Sequence, residues 1–264
     1  MLATSVIILF ISIVDKHMKR IFDILVSGAG LVLASPILCP VIFLVWRQDH
    51  HSPFYIAPRV GKNGKPFRMV KLRSMIINAD KSGVDSTGVN DQRITKVGHF
   101  IRRYKLDELT QLWNVLSGDM SLVGPRPNVQ RETDLYTHAE RELLTVKPGV
   151  TDFASIVFSD EGDILKDAQD PDIAYNQLIR PGKGYLGLFY IERQSFWLDI
   201  RLCFYTAIAI VSRERALRGV CAILESLNAN ESLLNIARRQ ESLYPMPPPG
   251  SSRIVTSRDG NPEI

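Results

Sequence analysis

The chain has 264 residues, a formal net charge of +4 and 45% hydrophobic residues, which describes an ordinary folded protein long enough to bury a core. Its three cysteines, Cys39, Cys203 and Cys221, are scattered and form no C-x-x-C pair. This pattern argues against a disulfide framework and a zinc site, and it favours a reducing compartment.

Residues 1–17 form an N-terminal extension whose apolar part, Val6 to Val14, is too short to span a bilayer. No basic region precedes it, so it makes a poor signal peptide. Met18 opens the stretch MKRIFDILV, which would be a sensible start of translation. Whether the extension is translated, or lies at a membrane interface, is left open.

An uncharged apolar segment runs from Ile24 to Trp46. A helix of this length, at ~1.5 Å per residue, would cover the ~30 Å hydrocarbon core of a bilayer. Ser35-Pro36 falls in its middle and Pro40 follows one turn later, and interior prolines kink or break helices. The bases between residues 16 and 20 place the N-terminal flank in the cytoplasm. These residues leave open whether the segment crosses the bilayer or leaves by the face it entered.

A basic strip from residue 59 to residue 73 contains six bases and no acid. Within it, Lys62-Asn63-Gly64-Lys65 predicts a tight turn, because Asn-Gly tolerates positive φ, and the flanking alternation predicts a short β-hairpin. We expect some of the bases to contact anionic lipid headgroups, at about 1 kcal/mol each, and others to reach a phosphate. The strip lacks interleaved aromatic residues, so nucleic acid is not predicted as a partner.

Residues 76–98 predict a loop or short helix, and the stretch ITKVGHFIRRY that overlaps its end has helical spacing. A further helix is predicted after Asp107, with a buried stripe at i, i+3, i+4 and i+7 and a stop at Gly118. The stripe consists of Leu109, Leu112, Trp113 and Leu116.

Two adjacent carboxylates, Asp107 and Glu108, stand at the start of that helix. One interpretation is purely structural, with Asp107 as an N-cap worth roughly 1 kcal/mol and Glu108 favoured by the helix dipole. The other is chemical, because adjacent helix residues project about 100° apart and so suit two separate tasks. Arg126, held between Pro125 and Pro127, is a base suited to bidentate phosphate contact. Acids, arginine and a helix start together suit a Mg²⁺-dependent phosphoryl transfer.

Towards the C-terminus, the apolar stretch 196–212 contains Asp199 and Arg201 and predicts an interfacial or packed helix rather than a membrane span. The end of the chain, from Tyr244 onward, is rich in proline and polar residues. This composition predicts disorder over about the last 20 residues.

Four stretches resemble, in order, the bacterial sugar transferase family: KRIFDILVSGAGLVLASP, FYIAPRVGKNGKPFRMVKLRSM, IRRYKLDELTQLWNVLSGDMSLVGPRP and LLTVKPGVT. The resemblance runs from about Met18 to about Ser212. Members are monotopic phosphoglycosyl transferases that start glycan assembly on a polyprenyl phosphate. The third stretch is highly specific for this family.

The resemblance implies that Asp107 attacks the β-phosphate of a UDP-sugar and expels UMP. A sugar-phosphoryl-aspartate then passes its phosphosugar to the polyprenyl phosphate. By similarity, Glu108 holds Mg²⁺. The implied phosphate and substrate contacts are Lys71, Arg73, Arg102 and Arg126.

The resemblance also implies a mostly α fold with a small β-hairpin, an α+β class. Its parts are an N-terminal extension (1–17), a re-entrant membrane helix broken at Ser35 and Pro36 (18–47), a compact catalytic domain with interfacial amphipathic helices (48–212) and a C-terminal extension (213–264). The implied partners are the UDP-sugar, the polyprenyl phosphate and the lipid bilayer, and self-association into a homo-oligomer is left open. The implied location is the bacterial inner membrane, with the catalytic domain facing the cytoplasm.

One stretch departs from the family pattern. Many members continue from K-P-G-[IV]-T into a loop of the type G-W-A-Q-V-N-G-R, whereas this chain reads KPGVTDFASIVFSDEGDIL. The preferred sugar therefore cannot be taken over from the commoner subgroup. Two rival interpretations also stay open: direct transfer with Asp107 as general base, and a non-catalytic membrane adaptor in which Asp107 only caps a helix.

Overall fold

The computed structural model describes the backbone of residues 2–79 and 91–257, and within these ranges the side chains from residue 14 onward. Helices make up most of the described chain and two small sheets accompany them, which confirms the predicted mostly α architecture. The α-helices are α1 (Leu2–Asp49), α2 (Lys96–Arg103), α3 (Leu106–Leu109), α4 (Leu112–Ser117), α5 (Gln130–Asp134), α6 (Phe153–Val157), α7 (Glu161–Ile164), α8 (Pro171–Ala174), α9 (Arg180–Arg193), α10 (Phe196–Val211), α11 (Arg213–Ser226) and α12 (Glu231–Arg238).

The predicted β-hairpin is confirmed. Strand β1 (Phe54–Val60) pairs antiparallel with β2 (Pro66–Leu72), and the turn between them has Asn63 at φ 58° and Gly64 at φ 73°. A second sheet, of β3 (Ser121–Val123) and β4 (Gly149–Thr151), is parallel and was not predicted. Each of its strands is too short to show an alternating pattern in the sequence.

Helix α1 runs without interruption through Ser35, Pro36 and Pro40, so the break predicted at Ser35-Pro36 is not present in the described helix. Pro36 has no N–H and cannot bond the carbonyl of Val32 one turn earlier. The Ser35 hydroxyl donates to that carbonyl at 2.7 Å, which satisfies the freed acceptor. The part from Val14 to Asp49 is long and apolar enough to cross a membrane by length and composition.

Polar side chains near residue 20 bind α1 to the rest of the protein. Lys19 forms an ion pair with the buried carboxylate of Asp199 in α10. Arg20 donates to the two carbonyls at the C-terminal end of α4, at 2.6 and 2.8 Å, and Asp23 accepts the Leu122 amide of β3 at 3.0 Å. The beginning of the apolar segment is therefore held against the elements that flank the acid pair and lead to Arg126.

The other end of α1 is held by Arg73. Its guanidinium donates to both oxygens of Asp49, at 2.5 and 2.7 Å, and to the Ser52 carbonyl at 2.8 Å. In the part of α1 that precedes Asp49, Leu38, Val41 and Val45 form a small core with residues of β2, α2 and α3. These residues are Leu72, Ile101 and Leu106. Arg73, predicted to contact substrate, therefore joins α1 to the hairpin.

Replacing Arg73 with methionine should lower the free energy of unfolding by about 2 kcal/mol, because hydrogen bonds to a charged partner are lost from a buried side chain. Thermal unfolding in detergent measures this change. Arg218→Met is the matched control, since the Arg218–Glu214 pair is exposed. Such an exposed pair contributes roughly 0.5 kcal/mol or less to the free energy of unfolding. Equal shifts in the two variants would contradict the role given to Arg73.

The main hydrophobic core joins α4, α6, α9, α10, α11 and α12. Helices α11 and α12 follow residue 212, where the sequence predicts that the catalytic domain ends. Val220, Ile223 and Leu234 nevertheless lie in the same core as Phe153 and Leu202. Residues 213–238 thus pack into the same core as the predicted catalytic domain.

The proline-rich tail, for which disorder is predicted, contacts the domain surface up to residue 257. The Thr137 hydroxyl donates to the Pro249 carbonyl at 2.5 Å, and Gln177 donates to the Val255 carbonyl at 2.7 Å. Val255 is buried. Prolines favour an extended backbone that can lie along a surface, which composition alone does not distinguish from disorder. Residues 258–264 lie outside the described residues.

The helix predicted around residues 94–104 is confirmed as α2, which begins at the Thr95 N-cap. Residues 80–90 of the predicted loop lie outside the described residues. The single helix predicted after Asp107 is divided into α3 and α4, and Gly118 ends α4 in the left-handed conformation at φ 93°. Trp113, predicted in the buried stripe, is 60% exposed, whereas Leu112 and Val115 are buried.

Candidate functional site

The two carboxylates lie in the first turn of α3, directly after Lys105. Lys105 occupies the N-cap position in the left-handed conformation, at φ 52°, and no side chain caps the helix. A non-glycine residue in this region stores roughly 1 kcal/mol of strain. The purely structural interpretation of Asp107 as an N-cap is therefore wrong, and its carboxylate is available for another task.

Lys71 of strand β2 faces the first carboxylate. Its Nζ lies 3.9 Å from Asp107 Oδ2, and both side chains are largely buried, at 19% and 17% exposed. This places a cation where a phosphate bound beside Asp107 would meet it. The basic strip thus delivers one lysine to the acid pair.

Two buried polar residues fix α3 and α4 against strand β2. The Thr110 hydroxyl lies 3.1 Å from the Val70 carbonyl and 3.0 Å from the Asp107 carbonyl. Asn114 accepts the Val70 amide at 2.8 Å and donates to the Arg68 carbonyl at 2.7 Å. These bonds set the distance between Asp107 and Lys71. Sequence reasoning missed both residues, although polar residues on the buried side of an amphipathic helix were a usable signal.

Arg126 meets the second carboxylate, with its Nη2 donating to Glu108 Oε1 at 2.8 Å. Its loop is held by the second sheet, where the Gly149 amide donates to the Pro125 carbonyl at 3.0 Å. Gly124 and Gly149 approach so closely that a Cβ on Gly149 would lie 2.1 Å from the Gly124 nitrogen. The glycines of the VGPRP and KPGVT stretches therefore permit the contact that positions Arg126.

The two carboxylates and Arg126 differ in the direction in which their pKa values are shifted. Burial raises the pKa of the Asp107 carboxyl from its ordinary value, although Lys71 opposes the shift. Burial would also raise the pKa of Glu108, but the charges of Arg126 and Lys71 outweigh it and lower the pKa to about 2. The Glu108 charge in turn raises the pKa of Arg126. One carboxylate is therefore a firmly ionised partner, while the other is held in a less polar setting.

The remaining predicted residues take different positions. Arg102, near the C-terminal end of α2, adds a positive charge that is felt at Asp107, but it forms no ion pair with either acid in the described part of the chain. Arg73 is bound to Asp49, and Ser35 and Pro36 lie within α1. The structure thus brings together Lys71, Asp107, Glu108 and Arg126, with Arg102 nearby.

A solvent-open cleft, of about 490 Å³ when its open part is included, adjoins Arg126 on the surface of α6 and α9. Its polar lining includes Asn128, Asp152, Tyr175 and Lys183. Lys183 forms an ion pair with Glu161 and lies 5.1 Å from the centre of the Tyr175 ring. Sequence reasoning noted only the departure at Asp152, because the other groups come from segments far apart in the chain.

Taken together, the site suits phosphate chemistry: carboxylates that can act as nucleophile or metal ligand stand beside a lysine and an arginine. The same chain carries a long apolar helix, α1. The chain matches the model of the bacterial sugar transferase family over residues 14–213, and it belongs to that family.

The chain is similar to several proteins that are named as sugar transferases acting on a lipid carrier or undecaprenyl phosphate. The chain is 33% identical over 217 residues to the UDP-galactose-lipid carrier transferase of Erwinia amylovora, covering 76% of this chain and 42% of the relative. It is 36% identical over 197 residues to the UDP-glucose:undecaprenyl-phosphate glucose-1-phosphate transferase of Escherichia coli, covering 73% of this chain and 40% of the relative. The undecaprenyl-phosphate galactose phosphotransferase of Salmonella typhimurium is 35% identical over 217 residues, with 76% and 42% covered. The chain spans about two fifths of the length of these relatives.

Proposed function

We propose that this protein transfers a sugar 1-phosphate from a UDP-sugar to a polyprenyl phosphate, such as undecaprenyl phosphate, and releases UMP. The observation that carries the proposal is the meeting of Asp107 with Lys71, and of Glu108 with Arg126, at one site. The names of the relatives mention a UDP-sugar, undecaprenyl phosphate or a lipid carrier, which supports the same donor and acceptor. The reaction would be the first membrane step of bacterial polysaccharide assembly.

The proposed route has two displacements. A carboxylate oxygen of Asp107 attacks the β-phosphorus of the UDP-sugar, and the bond from that phosphorus to the bridging oxygen breaks, so that UMP leaves with the electron pair. A phosphate oxygen of the polyprenyl phosphate then attacks the same phosphorus and restores the free carboxylate. Lys71 and Arg126 bind the phosphate oxygens and stabilise the charge that develops on them. The mechanistic rival is one direct displacement with Asp107 as general base.

Magnesium fits the donor set. Mg²⁺ is usually held by one or two carboxylates together with substrate phosphates rather than by an all-protein cage. Glu108 is firmly ionised, and the described residues contain no group of three or more His, Cys, Asp or Glu that could form such a cage. Glu108 would therefore hold the ion, which neutralises phosphate charge when bound. Arg126, which donates to Glu108 Oε1 at 2.8 Å, would hold that carboxylate in place.

We propose a monotopic topology in which α1 inserts into the bilayer without crossing it and both of its flanks stay in the cytoplasm. Lys19, Arg20 and Asp23 bind the same domain that Asp49 meets through Arg73 at the other end of the segment. A helix crossing the ~30 Å hydrocarbon core would put these two sets of partners on opposite faces of the membrane. The exposed apolar side chains along α1 would instead enter one leaflet. The site would then face the cytoplasm, where nucleotide sugars are found.

The rate of donor consumption should fall above about pH 8. Burial lowers the pKa of Lys71 to about 8, so that the lysine loses its charge, and its attraction for the donor phosphates, as the pH rises through that value. The pH profile of kcat/KM for the UDP-sugar measures this, because it reports groups of the free enzyme. Lys71→Arg should remove the alkaline limb, since arginine stays charged. An identical limb in both proteins would assign it to another group.

The experiment that tests the proposed function uses purified protein in nanodiscs with Mg²⁺ and a panel of UDP-sugars, without lipid acceptor. UMP release and the intact mass of the protein are measured. We expect a burst near one UMP per enzyme and a mass increase equal to a sugar phosphate. Steady turnover that needs polyprenyl phosphate, without a burst, would favour direct displacement. No UMP from any donor, with or without acceptor, would overturn the proposed activity.

A further inference from the structure

We propose that the cleft of about 490 Å³ beside Arg126 is the subsite for the glycosyl group of the donor, with Asp152, Tyr175 and Lys183 hydrogen-bonding to its hydroxyl groups. This inference rests on the proposed function, because it takes the donor to be a UDP-sugar. It assigns the choice of sugar to residues outside the acid pair.

The position of the cleft follows from the connectivity of the donor. The sugar is attached to the phosphorus that Asp107 attacks, so it must lie within one P–O–C linkage of the phosphate contacts. Arg126 both donates to Glu108 at 2.8 Å and lines the cleft. A phosphate held by Arg126 therefore has its glycosyl substituent at the mouth of this cleft.

Asp152 gives the cleft a buried hydrogen-bond acceptor. It is the N-cap of α6 and accepts the Ser155 amide through Oδ1 at 2.6 Å, yet it is only 3% exposed and lines the cleft. A carboxylate has more acceptor positions than one cap uses, and an ionised carboxylate offers no donor. A buried acceptor of this kind is best satisfied by O–H or N–H groups of a ligand.

Lys183 and Tyr175 supply the complementary groups. The Glu161 ion pair and the Tyr175 ring at 5.1 Å fix the ammonium group of Lys183, whose three donors exceed what one carboxylate requires. Among the described residues, the Tyr175 hydroxyl has no hydrogen-bond partner. Tyr175 also opens a π-helical turn, Tyr175–Ile179, a rare feature that occurs frequently at functional sites.

The chemistry of the cleft fits a sugar better than a nucleobase. A hexopyranose presents hydroxyl groups around its whole edge, and carboxylate, ammonium and phenol groups can bind them directionally. The adjoining smaller cleft, of about 260 Å³, is lined mainly by prolines and aliphatic residues and shares Asn128 and Tyr136 with the larger one. Arg126 is its one charged residue in the described part of the chain. The polar cleft is thus the one built to distinguish hydroxyl configurations.

The test measures binding rather than turnover, with full-length protein in nanodiscs that carries Asp107→Asn. Dissociation constants are determined for UDP-glucose, UDP-galactose, their N-acetylamino counterparts and UMP. Asp152→Asn keeps an N-cap residue and Tyr175→Phe keeps the ring, so both variants should fold. Asp163→Asn, an exposed acid of α7, is the matched control. We expect Asp152→Asn or Tyr175→Phe to change the ratio between the tightest and weakest sugar donor at least about tenfold, with UMP affinity within about twofold.

Three results would overturn the subsite: equal binding of all four sugar donors by the parent protein, an unchanged ratio in both cleft variants, or an equal loss of affinity for UMP and the sugar donors. The first shows that no part of the site distinguishes hydroxyl groups. UMP release by the wild-type protein, measured separately, tests the proposed reaction. A changed affinity ratio in the cleft variants, without UMP release by the wild-type protein, would support the subsite and overturn the reaction. UMP release with an unchanged affinity ratio would support the reaction and overturn the subsite.

Discussion

Asp107→Asn should abolish both the covalent sugar-phosphate adduct and the burst of UMP, with a fall in turnover of about four orders of magnitude or more. An amide is far less nucleophilic than a carboxylate, whereas its size and its place in α3 are unchanged. Because Asp107 makes no capping bond, the substitution should leave the fold intact. Intact-mass spectrometry, a UMP assay and thermal unfolding measure the three quantities.

Asp134→Asn is the control for this experiment, since Asp134 is an exposed acid of α5 away from the site. It should keep the adduct and the burst. Lipid-dependent turnover without an adduct in wild-type protein, lost in Asp107→Asn, would favour Asp107 as a general base. Full activity of Asp107→Asn would contradict every catalytic role given to this residue. Silence of both the wild-type protein and the variant would favour the non-catalytic adaptor.

The local features of the site could be predicted from the sequence because short-range chemistry decides them. Asn63-Gly64 specifies the turn of the hairpin, Gly118 ends α4, and Pro125 and Pro127 restrict the loop of Arg126. The acid pair was recognisable through its place at a helix start. Its capping role was not excluded by the sequence, because that required the left-handed Lys105 immediately before it.

The contacts between distant segments could not be predicted in this way. Lys71 and Arg73 are alike in the basic strip, yet Lys71 meets Asp107 and Arg73 meets Asp49. The difference depends on where the end of α1 lies, and no spacing within the strip reveals it. In the same way, the partner of Lys183 comes from α7, so the polar cleft appears only after folding.

In the apolar segment and in α4, local sequence signals predicted features that the structure does not have. Pro36 correctly signals a missing backbone bond, but the Ser35 hydroxyl satisfies the freed carbonyl, so the helix continues. Trp113 also has the right spacing for a buried stripe and is nevertheless exposed. Trp113 belongs to α4, which packs against α1, and α1 itself carries exposed apolar side chains. Under the proposed topology, lipid would replace the protein core as the apolar surrounding of such residues.

Arg126→Lys should lower kcat/KM for the UDP-sugar by about 100-fold, although the formal charge is kept. The planar guanidinium can bond Glu108 and a phosphate oxygen at once, whereas lysine offers a compact charge on a flexible chain. Loss of the fork should therefore release Glu108 as well as weaken the phosphate contact. Steady-state kinetics at several Mg²⁺ concentrations measure both effects, with a raised Mg²⁺ requirement as the sign that Glu108 is no longer held.

Arg141→Lys, at an exposed position, is the matched control and should stay within about twofold of wild type. If Arg126→Lys kept kcat/KM within about threefold, positive charge alone would suffice and the rigid loop would need another explanation. A 100-fold loss with an unchanged Mg²⁺ requirement would separate the two tasks, leaving Arg126 to the phosphate and Glu108 to a partner other than this arginine. A loss of kcat/KM together with a raised Mg²⁺ requirement would mean that Arg126 serves both tasks. A single guanidinium, fixed between two prolines, would then orient the metal ligand Glu108 and the substrate phosphate together.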